Sequence, residues 1–226
     1  MNWFLLRSGP TDPAANMAWD EALLEAAPRL GSPILRFYSW AVPAATFGYF
    51  QHLADIEKLT PLRPLIRRPT GGGLVPHDRD WTYSLAFPPG DPWYALKAVE
   101  SYRRAHEWLQ AAFEKCRLDT ALSPVAVKEA PGQCFLGAEP FDVLWQSRKI
   151  AGAAQRRTRD GLLIQGSIQP PPPGVARAEF EEAMLGIARV RWGVEWKLLE
   201  PDAALKDRVA TLTREKFSRP DYNARR

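Results

Sequence analysis

The sequence predicts an α+β protein in which a mixed, mostly antiparallel sheet is flanked by helices. Segments typical of strands and of helices follow one another along the 226 residues, and no long linker separates them. The hydrophobic fraction of 46% and the charged fraction of 25% are those of an ordinary globular protein, and a chain of this length buries a sizeable core. No internal repeat is visible. We therefore expect one domain over residues 1–226, without a separate accessory domain.

The first quarter of the chain shows one clear helix between short apolar runs. Residues 2–9 form an apolar run that ends in Ser-Gly, which is typical of a strand. Over residues 11–31, Asp12 caps a helix, Pro13 takes its first position and Gly31 ends it. Two further strands and a helix or turn are expected at residues 33–40, 44–51 and 56–62, respectively.

The rest of the chain alternates between strand and helix patterns. Residues 64–89 indicate a strand, a glycine loop and a second strand with a period of two. Residues 93–119 have the 3.6-residue period of a long amphipathic helix. Residues 141–168 have the turn residues of a hairpin-rich region, and a proline-rich loop follows. The C-terminal helices are expected within about residues 176–218.

Composition and charge exclude several classes of protein. Thirty Lys and Arg against 26 Asp and Glu give a net charge of +4, too small an excess for a dedicated nucleic-acid binder. Two cysteines without a CxxC motif and three histidines give no basis for a metal cluster. The first residues lack the basic start and long apolar run of a secretory leader, so we expect none, and no run of about twenty apolar residues occurs. We expect a cytoplasmic protein with free thiols and no membrane or nucleic-acid partner.

Residues 67–78, "RRPTGGGLVPHD", contain two arginines followed closely by three consecutive glycines. A glycine run leaves its backbone N–H groups open to an anion or an amide. The three glycines, 71–73, match neither GxxxxGK[ST] nor GxGxxG, so a glycine-rich hairpin turn is the alternative interpretation. Arg68 suits a carboxylate or a phosphate. Neighbouring strand residues face opposite ways, so we expect His77 to contact a ligand or pack, and Asp78 to hold the loop.

Two further residues are candidates for chemistry. Lys149 lies in a strand pattern beside Gly152 and Ala153, whose small size leaves room for a lysine that reaches into a pocket. Cys134 lies in a Gly/Pro-rich loop, where a nearby cation such as Lys149 would stabilise its thiolate. An ordinary edge-strand lysine and a structural thiol are the alternatives. Cys116 ends an amphipathic helix and is expected to pack.

Five motifs occur in a recognisable order along most of the chain. The sequence resembles the lipoate–protein ligase and octanoyltransferase family, relatives of the biotin–protein ligases, from about residue 1 to about residue 190. The motifs are "ANMAWDEALL" (15–24), "RFYSWAVPAATFGYFQ" (36–51), "RRPTGG" (67–72), "HDRDWTYS" (77–84) and "RKIAGAAQRR" (148–157). The resemblance implies a single domain like that of the class II aminoacyl-tRNA synthetases and biotin synthetases.

Within that family the resemblance is strongest to the cysteine-dependent octanoyltransferases. The ligases carry Gly-Asn after the His-Asp pair, whereas residues 77–84 here lack it. Cys134 stands about fifteen residues before Lys149, as the transferase nucleophile does before its lysine motif. Two positions depart from the transferase pattern: Gly73 replaces an arginine and Gln165 replaces a histidine. These departures keep an ATP-dependent ligase as the alternative.

The resemblance also implies roles and partners. Cys134 and Lys149 would be catalytic, moving an octanoyl group from acyl carrier protein through an acyl-cysteine to an acceptor lysine. The acceptor would be glycine-cleavage H protein or an E2 lipoyl domain. No cofactor would be needed, whereas the ligase would use ATP and Mg; a monomer is expected, and a non-catalytic acyl- or lipoyl-binding protein is the third alternative. The acyl-binding residues would be Arg68, Gly71, Gly72, Gly73, His77, Tyr83, Gly152, Ala153 and Gln165.

Overall fold

The computed structural model describes residues 1–127, 132 and 134–225. The strands in this part of the chain are β1 (Asn2–Thr11), β2 (Ile34–Trp40), β3 (Ala44–Phe47), β4 (Leu65–Arg67), β5 (Val75–His77), β6 (Trp81–Phe87), β7 (Ala121–Leu122), β8 (Val143–Trp145), β9 (Arg148–Thr158), β10 (Gly161–Ile168) and β11 (Glu195–Leu198). The α-helices are α1 (Pro13–Leu30), α2 (Leu53–Ile56), α3 (Pro92–Ala95), α4 (Ala98–Lys115), α5 (Arg177–Trp192), α6 (Ala203–Leu212) and α7 (Pro220–Ala224), and a π-helical turn spans Thr213–Phe217.

Eight strands form one mixed sheet in the order β11-β1-β2-β6-β10-β9-β8-β7. Strand β1 pairs in parallel with both β2 and β11, and the other neighbouring pairs are antiparallel. This confirms the predicted α+β class with a mostly antiparallel sheet. None of the described helices combines the length and apolar character needed to cross a bilayer.

A second sheet of three strands, in the order β4-β3-β5, carries the glycine loop. Strand β3 lies in the centre and pairs in parallel with β4 and antiparallel with β5. The strands on either side of the glycine run therefore do not pair with each other. The glycines do not form a hairpin turn; they cross from one edge of the small sheet to the other.

Helices cover both faces of the large sheet. On one face α4 and α5 bury an aromatic core that includes Trp3, Trp108 and Phe180. On the other face α1 and α6 pack around Met17, Ile34 and other aliphatic side chains. Successive strand residues divide between the two cores, because side chains on a strand alternate between its faces.

The helix signals of the sequence are confirmed for α1 and partly for the others. Asp12 accepts hydrogen bonds from the first turn of α1, and Gly31 ends the helix with a φ of 65°. The helix or turn expected at residues 56–62 is confirmed as a turn over residues 57–59, and the short helix α2 (Leu53–Ile56) precedes it. The long helix expected at residues 93–119 divides into α3 and α4.

Arg67 fastens the C-terminal segment to strand β4. Its backbone N–H donates to Asn223 Oδ1 at 2.8 Å. Its buried guanidinium donates to the carbonyl oxygens of Tyr222, Asn223 and Arg225. Helix α7 is therefore held directly against the strand that leads into the glycine loop.

Candidate active site

The loop that carries Cys134 lies against the glycine loop. Leu74 N donates to Gly132 O at 2.7 Å, and Cys134 N donates to Leu74 O at 3.1 Å. The Gly73 N–H donates to Cys134 Sγ at 2.9 Å. A Cβ at Gly73 would lie 2.6 Å from Gly132 O, so a side chain there would push the two loops apart. Gln133 and residues 128–131 lie outside the described residues.

Cys134 opens into a cavity on the α1 side of the large sheet. The empty space within it, counted to its mouth, is about 460 Å³. The lining residues are Met17, Tyr38, Thr46, Arg68, Val75, His77, Thr82, Cys134, Phe135, Lys149, Gly152, Ala153, Ala154, Gln165, Gly166 and Ser167. Glycines, alanines and a few apolar side chains share this lining with polar and charged groups.

Lys149 reaches this cavity because Gly152 has no side chain. A Cβ at Gly152 would lie 2.6 Å from Lys149 Cε and 2.8 Å from Nζ. A β-bulge precedes this point, since Val143 pairs with Ala151 whereas Leu144 pairs with Lys149. The ammonium donates to Cys134 O at 2.6 Å, and its side chain is only 8% exposed.

Asp142 holds Lys149, and the sequence did not single it out. Its carboxylate is fully buried and lies 2.7 Å, through Oδ2, from Lys149 Nζ. The same oxygen accepts from Glu139 N at 2.6 Å, and Oδ1 accepts from the Tyr102 hydroxyl. Burial, and secondarily the negative charge of Asp142, raises the pKa of Tyr102, so this phenol stays a hydrogen-bond donor.

Arg68 lies on the other side of the thiol. Its guanidinium donates to the carbonyl oxygens of Gly71 and Gly73 and, through Nη1, to both oxygens of Thr46. Gly72 adopts a φ of 85°, a conformation that favours glycine. A Cβ at Gly72 would lie 2.8 Å from Arg68 Nη2 and 3.5 Å from Cys134 Sγ. The glycine loop therefore brings the guanidinium and the sulfur close together.

His77 is bound at both ring nitrogens. Nδ1 lies 2.8 Å from Asp80 Oδ2 and Nε2 lies 2.8 Å from Thr46 Oγ1, while Trp40 stacks on the ring. Burial opposes ionisation of Asp80, but His77 and the hydroxyls of Ser167 and Thr82 outweigh it and lower the Asp80 pKa. These contacts fix the orientation of the His77 ring in this wall of the cavity. Asp78, which was expected to hold the loop, is exposed.

Gln165 connects the glycine loop to a buried ion pair. Its Oε1 accepts from Thr70 Oγ1 at 2.8 Å, and its Nε2 donates to Asp20 Oδ2 at 2.7 Å. Asp20 pairs with Arg36 at 2.8 Å, and both side chains are fully buried. The residue that replaces the expected histidine therefore completes a hydrogen-bonded network behind the cavity.

The structure brings most of the predicted site residues together, with one exception. Gly71, Gly72 and Gly73 touch Arg68 or Cys134 through backbone atoms or close approach. The predicted residues that line the cavity are Arg68, His77, Cys134, Lys149, Gly152, Ala153 and Gln165. The exception is Tyr83, which belongs to the aromatic core on the other face of the large sheet. Its ring packs directly against the backbone of Gly166.

Known proteins are similar to this chain in sequence. Octanoyltransferase LipM of Staphylococcus aureus is 35% identical over 74% of this chain and 65% of its own length. Octanoyltransferase LipM of Lysinibacillus sphaericus is 32% identical over the same shares. The chain therefore spans 65% of the length of these curated relatives.

Solved structures share the fold at lower identity. A crystal structure of lipoate-protein ligase A bound with ATP superposes with a TM-score of 0.81, at 20% identity over 99% of both chains. The bi-partite lipoate protein ligase of Thermoplasma acidophilum superposes at 0.76 and 20% identity, over 99% of this chain and 96% of its own. Residues 12–169 match the model of the lipoyl protein ligase A/B catalytic domain, which includes the loop of Cys134 and the strand of Lys149. The chain belongs to the lipoyl protein ligase A/B catalytic domain family.

Proposed function

We propose that this protein transfers an octanoyl group from acyl carrier protein to a lysine of a lipoyl-acceptor protein, through a thioester on Cys134. The observation that carries the proposal is a thiol in the lining of a partly apolar cavity, whose sulfur accepts from a backbone N–H and whose backbone carbonyl accepts from Lys149. The octanoyltransferase names of the relatives support the same reaction.

The cavity supports a thin aliphatic substrate. Met17, Val75 and Phe135 offer apolar surface, while Gly152 and Ala153 leave backbone exposed to the acyl chain. Each methylene that moves from water into such a space contributes about 0.8 kcal/mol. An eight-carbon chain would therefore be bound mainly by burial of its methylenes, and its carbonyl would lie next to the sulfur of Cys134.

The first half-reaction exchanges one thioester for another. The Cys134 thiolate attacks the acyl carbonyl, the new C–S bond forms, and the bond to the carrier sulfur breaks. The Lys149 ammonium is placed to give a proton to the departing carrier thiolate. Covalent catalysis of this kind divides one transfer between two large proteins into two simpler encounters.

The second half-reaction forms an amide. The neutral amine of the acceptor lysine attacks the acyl-cysteine, the C–S bond breaks with its electron pair returning to Cys134 Sγ, and the amine loses a proton. The first step leaves Lys149 neutral, so it accepts this proton and its ammonium form is restored for the next cycle. An amide is more stable than a thioester, so the sequence runs forward without ATP.

Partners and setting follow from this reaction. The acceptor is a glycine-cleavage H protein or an E2 lipoyl domain, and the net charge of +4 favours an acidic carrier protein. The protein acts in the cytoplasm as a monomer, without cofactor or metal. Residues 1–226 act as a single catalytic domain.

The test is an intact-mass measurement. The protein is incubated with octanoyl-carrier protein without ATP, beside the variants Cys134→Ala and Cys116→Ser. A gain of one octanoyl group is expected in the wild type and in Cys116→Ser, since Cys116 packs at the end of α4, but not in Cys134→Ala. When an acceptor lipoyl domain is added afterwards, the octanoyl group should leave the enzyme and appear on the acceptor.

Two other outcomes would contradict the proposal. Acceptor modification that requires ATP and free octanoate or lipoate would identify a ligase. Binding of the acyl group without any covalent product, under either condition, would identify a non-catalytic binding protein.

A further inference from the structure

We infer that Arg68, and not Lys149, is the cation that faces the Cys134 thiolate, while the pair of Lys149 and Asp142 serves the acyl carbonyl and the leaving group. This inference rests on the proposed use of Cys134 as nucleophile. It gives the arginine before the glycine loop a catalytic role and reassigns the lysine that the sequence favoured for thiolate stabilisation.

Arg68 is a buried cation that pairs with no carboxylate of the described residues. It is 4% exposed, and in the described part of the chain its acceptors are three backbone carbonyls and one hydroxyl, all of them uncharged. No carboxylate of the described residues forms an ion pair with it. A guanidinium does not lose its proton in proteins, so its charge needs an anion nearby. The thiolate of Cys134 is an anion that this position can supply.

The shape of the glycine loop supports this pairing. Arg68 Nη2 and Cys134 Sγ both lie within 3.5 Å of the point that a Cβ on Gly72 would occupy. The loop bends so that the carbonyls of Gly71 and Gly73 accept from the guanidinium while the Gly73 N–H donates to the sulfur. Burial lowers the pKa of Arg68 and the neighbouring Cys134 opposes that effect.

Lys149 already has its counter-charge. Its Nζ lies 2.7 Å from the fully buried carboxylate of Asp142, and the pair is electrically neutral as a unit. Its second bond goes to the backbone oxygen of Cys134 and not to the sulfur. The charge of Asp142 offsets that of the ammonium, so Lys149 stabilises the thiolate only weakly. Its ammonium is nevertheless held beside the cavity as a proton donor.

Other groups near the thiol complete its surroundings. His77 is held between Asp80 and Thr46, and Tyr38 is a buried neutral phenol whose pKa burial raises well above its ordinary range. Among the described residues, the titratable or charged side chains that line the same cavity as Cys134 are Tyr38 on β2, Arg68 after β4, His77 on β5 and Lys149 on β9.

Alkylation of Cys134 by iodoacetamide, followed by intact mass across pH 5–10, tests the inference without any acyl substrate. All proteins carry Cys116→Ser, so that one thiol reports. The charge of Arg68 is removed by Arg68→Met and kept by Arg68→Lys. The matched comparison is Lys149→Met combined with Asp142→Asn, which removes the neighbouring ion pair as a unit and leaves no buried carboxylate uncompensated. Circular dichroism checks that each variant is folded.

The expected result is a rise in the pH of half-maximal alkylation of about 1–2 units in Arg68→Met, because an opposite charge within 4–6 Å is worth about that much. Alkylation at pH 6 then slows by about 10- to 100-fold. Arg68→Lys shifts the midpoint less than Arg68→Met, and the double variant stays near the wild type. A shift in the double variant as large as that in Arg68→Met overturns the inference.

Two points keep the outcome decisive. If Arg68→Met does not fold, the double variant decides alone: an unchanged midpoint upholds the inference and a rise of about one unit or more overturns it. Because iodoacetamide needs neither carrier nor acceptor protein, failure here is distinguishable from absence of the acyl-enzyme in the mass experiment.

Discussion

Asp142→Asn removes the charge opposite Lys149 and leaves the size of the side chain nearly unchanged. The carboxylate accepts from Lys149 Nζ, Glu139 N and the Tyr102 hydroxyl, and it is fully buried. An amide offers one oxygen where the carboxylate offered two. At least one of the three donors must then face an NH₂ group, and the ammonium loses its counter-charge.

The size of the effect follows from that burial. Removing one partner of a buried ion pair destabilises a protein by about 3–5 kcal/mol, because the other charge stays buried. For a chain of this length each kcal/mol lowers Tm by about 2–4 °C, so Asp142→Asn should lose on the order of 10 °C. The exposed pair of Arg103 and Glu100 is the control: Glu100→Gln should leave Tm nearly unchanged, because solvent screens the pair.

A double-mutant cycle isolates the pair. Thermal and urea unfolding are followed by circular dichroism for Asp142→Asn, Lys149→Met and the double variant. The double variant should be more stable than the sum of the single effects predicts, with a coupling of about 1–3 kcal/mol. Additive losses would refute the argument, since they would mean that the two side chains do not depend on each other.

Three further predictions concern the supports of the site. Gly73→Ala should lower stability by about 1–3 kcal/mol, because its Cβ would lie 2.6 Å from Gly132 O; Tm measures it. Gln165→Leu leaves the Thr70 hydroxyl without its acceptor and should lose about 1–3 kcal/mol in urea unfolding. Burial lowers the pKa of His106 to about 4 from an ordinary 6.5. The unfolded chain then binds the extra proton between these values, so stability falls as pH drops from 6.5 to 4, and His106→Leu should remove up to about 3 kcal/mol of that fall.

Each of these has a matched comparison. Gly71→Ala should leave Tm nearly unchanged, because nothing lies within 4 Å of a Cβ there; an equal loss at both glycines would contradict the steric argument. Gln165→Glu keeps the acceptor for Thr70 but places a second carboxylate beside Asp20, so it should be at least as destabilising as Gln165→Leu. Equal slopes of stability against pH with and without His106 would contradict its burial as a neutral ring.

The elements of the fold were predictable where their signals are local. The capped helix α1 and the hairpin of β9 and β10 follow from residues close together in the chain. The pairing of β3 with both β4 and β5 was not predictable, because a strand's partners depend on contacts between distant segments. The same limit explains the hairpin interpretation of residues 71–73, which considered the two flanking strands alone.

The site shows the same division. Cys134 and Lys149 stood out because their residue types suit chemistry and Gly152 leaves space. Asp142 carried no signal, because its contact with Lys149 depends on the irregular register between β8 and β9 and its bond to Tyr102 spans 40 residues. Tyr83 was expected among the acyl-binding residues from the resemblance, but it belongs to the aromatic core. The period-2 pattern of β6 separates the two faces of the strand without saying which face borders the cavity.

Arg67 and Arg68 are consecutive, and they connect the residues that are synthesised last to the loop of Cys134. The first is bonded to residues 222–225 and the second approaches the thiol through the glycine loop. The strand that presents the guanidinium to the sulfur gains its last partners only after helix α7 has been made. A ribosome-bound chain that already contains the cysteine, the lysine and the glycines therefore still lacks a support for its thiol, and reactivity at Cys134 should mature late.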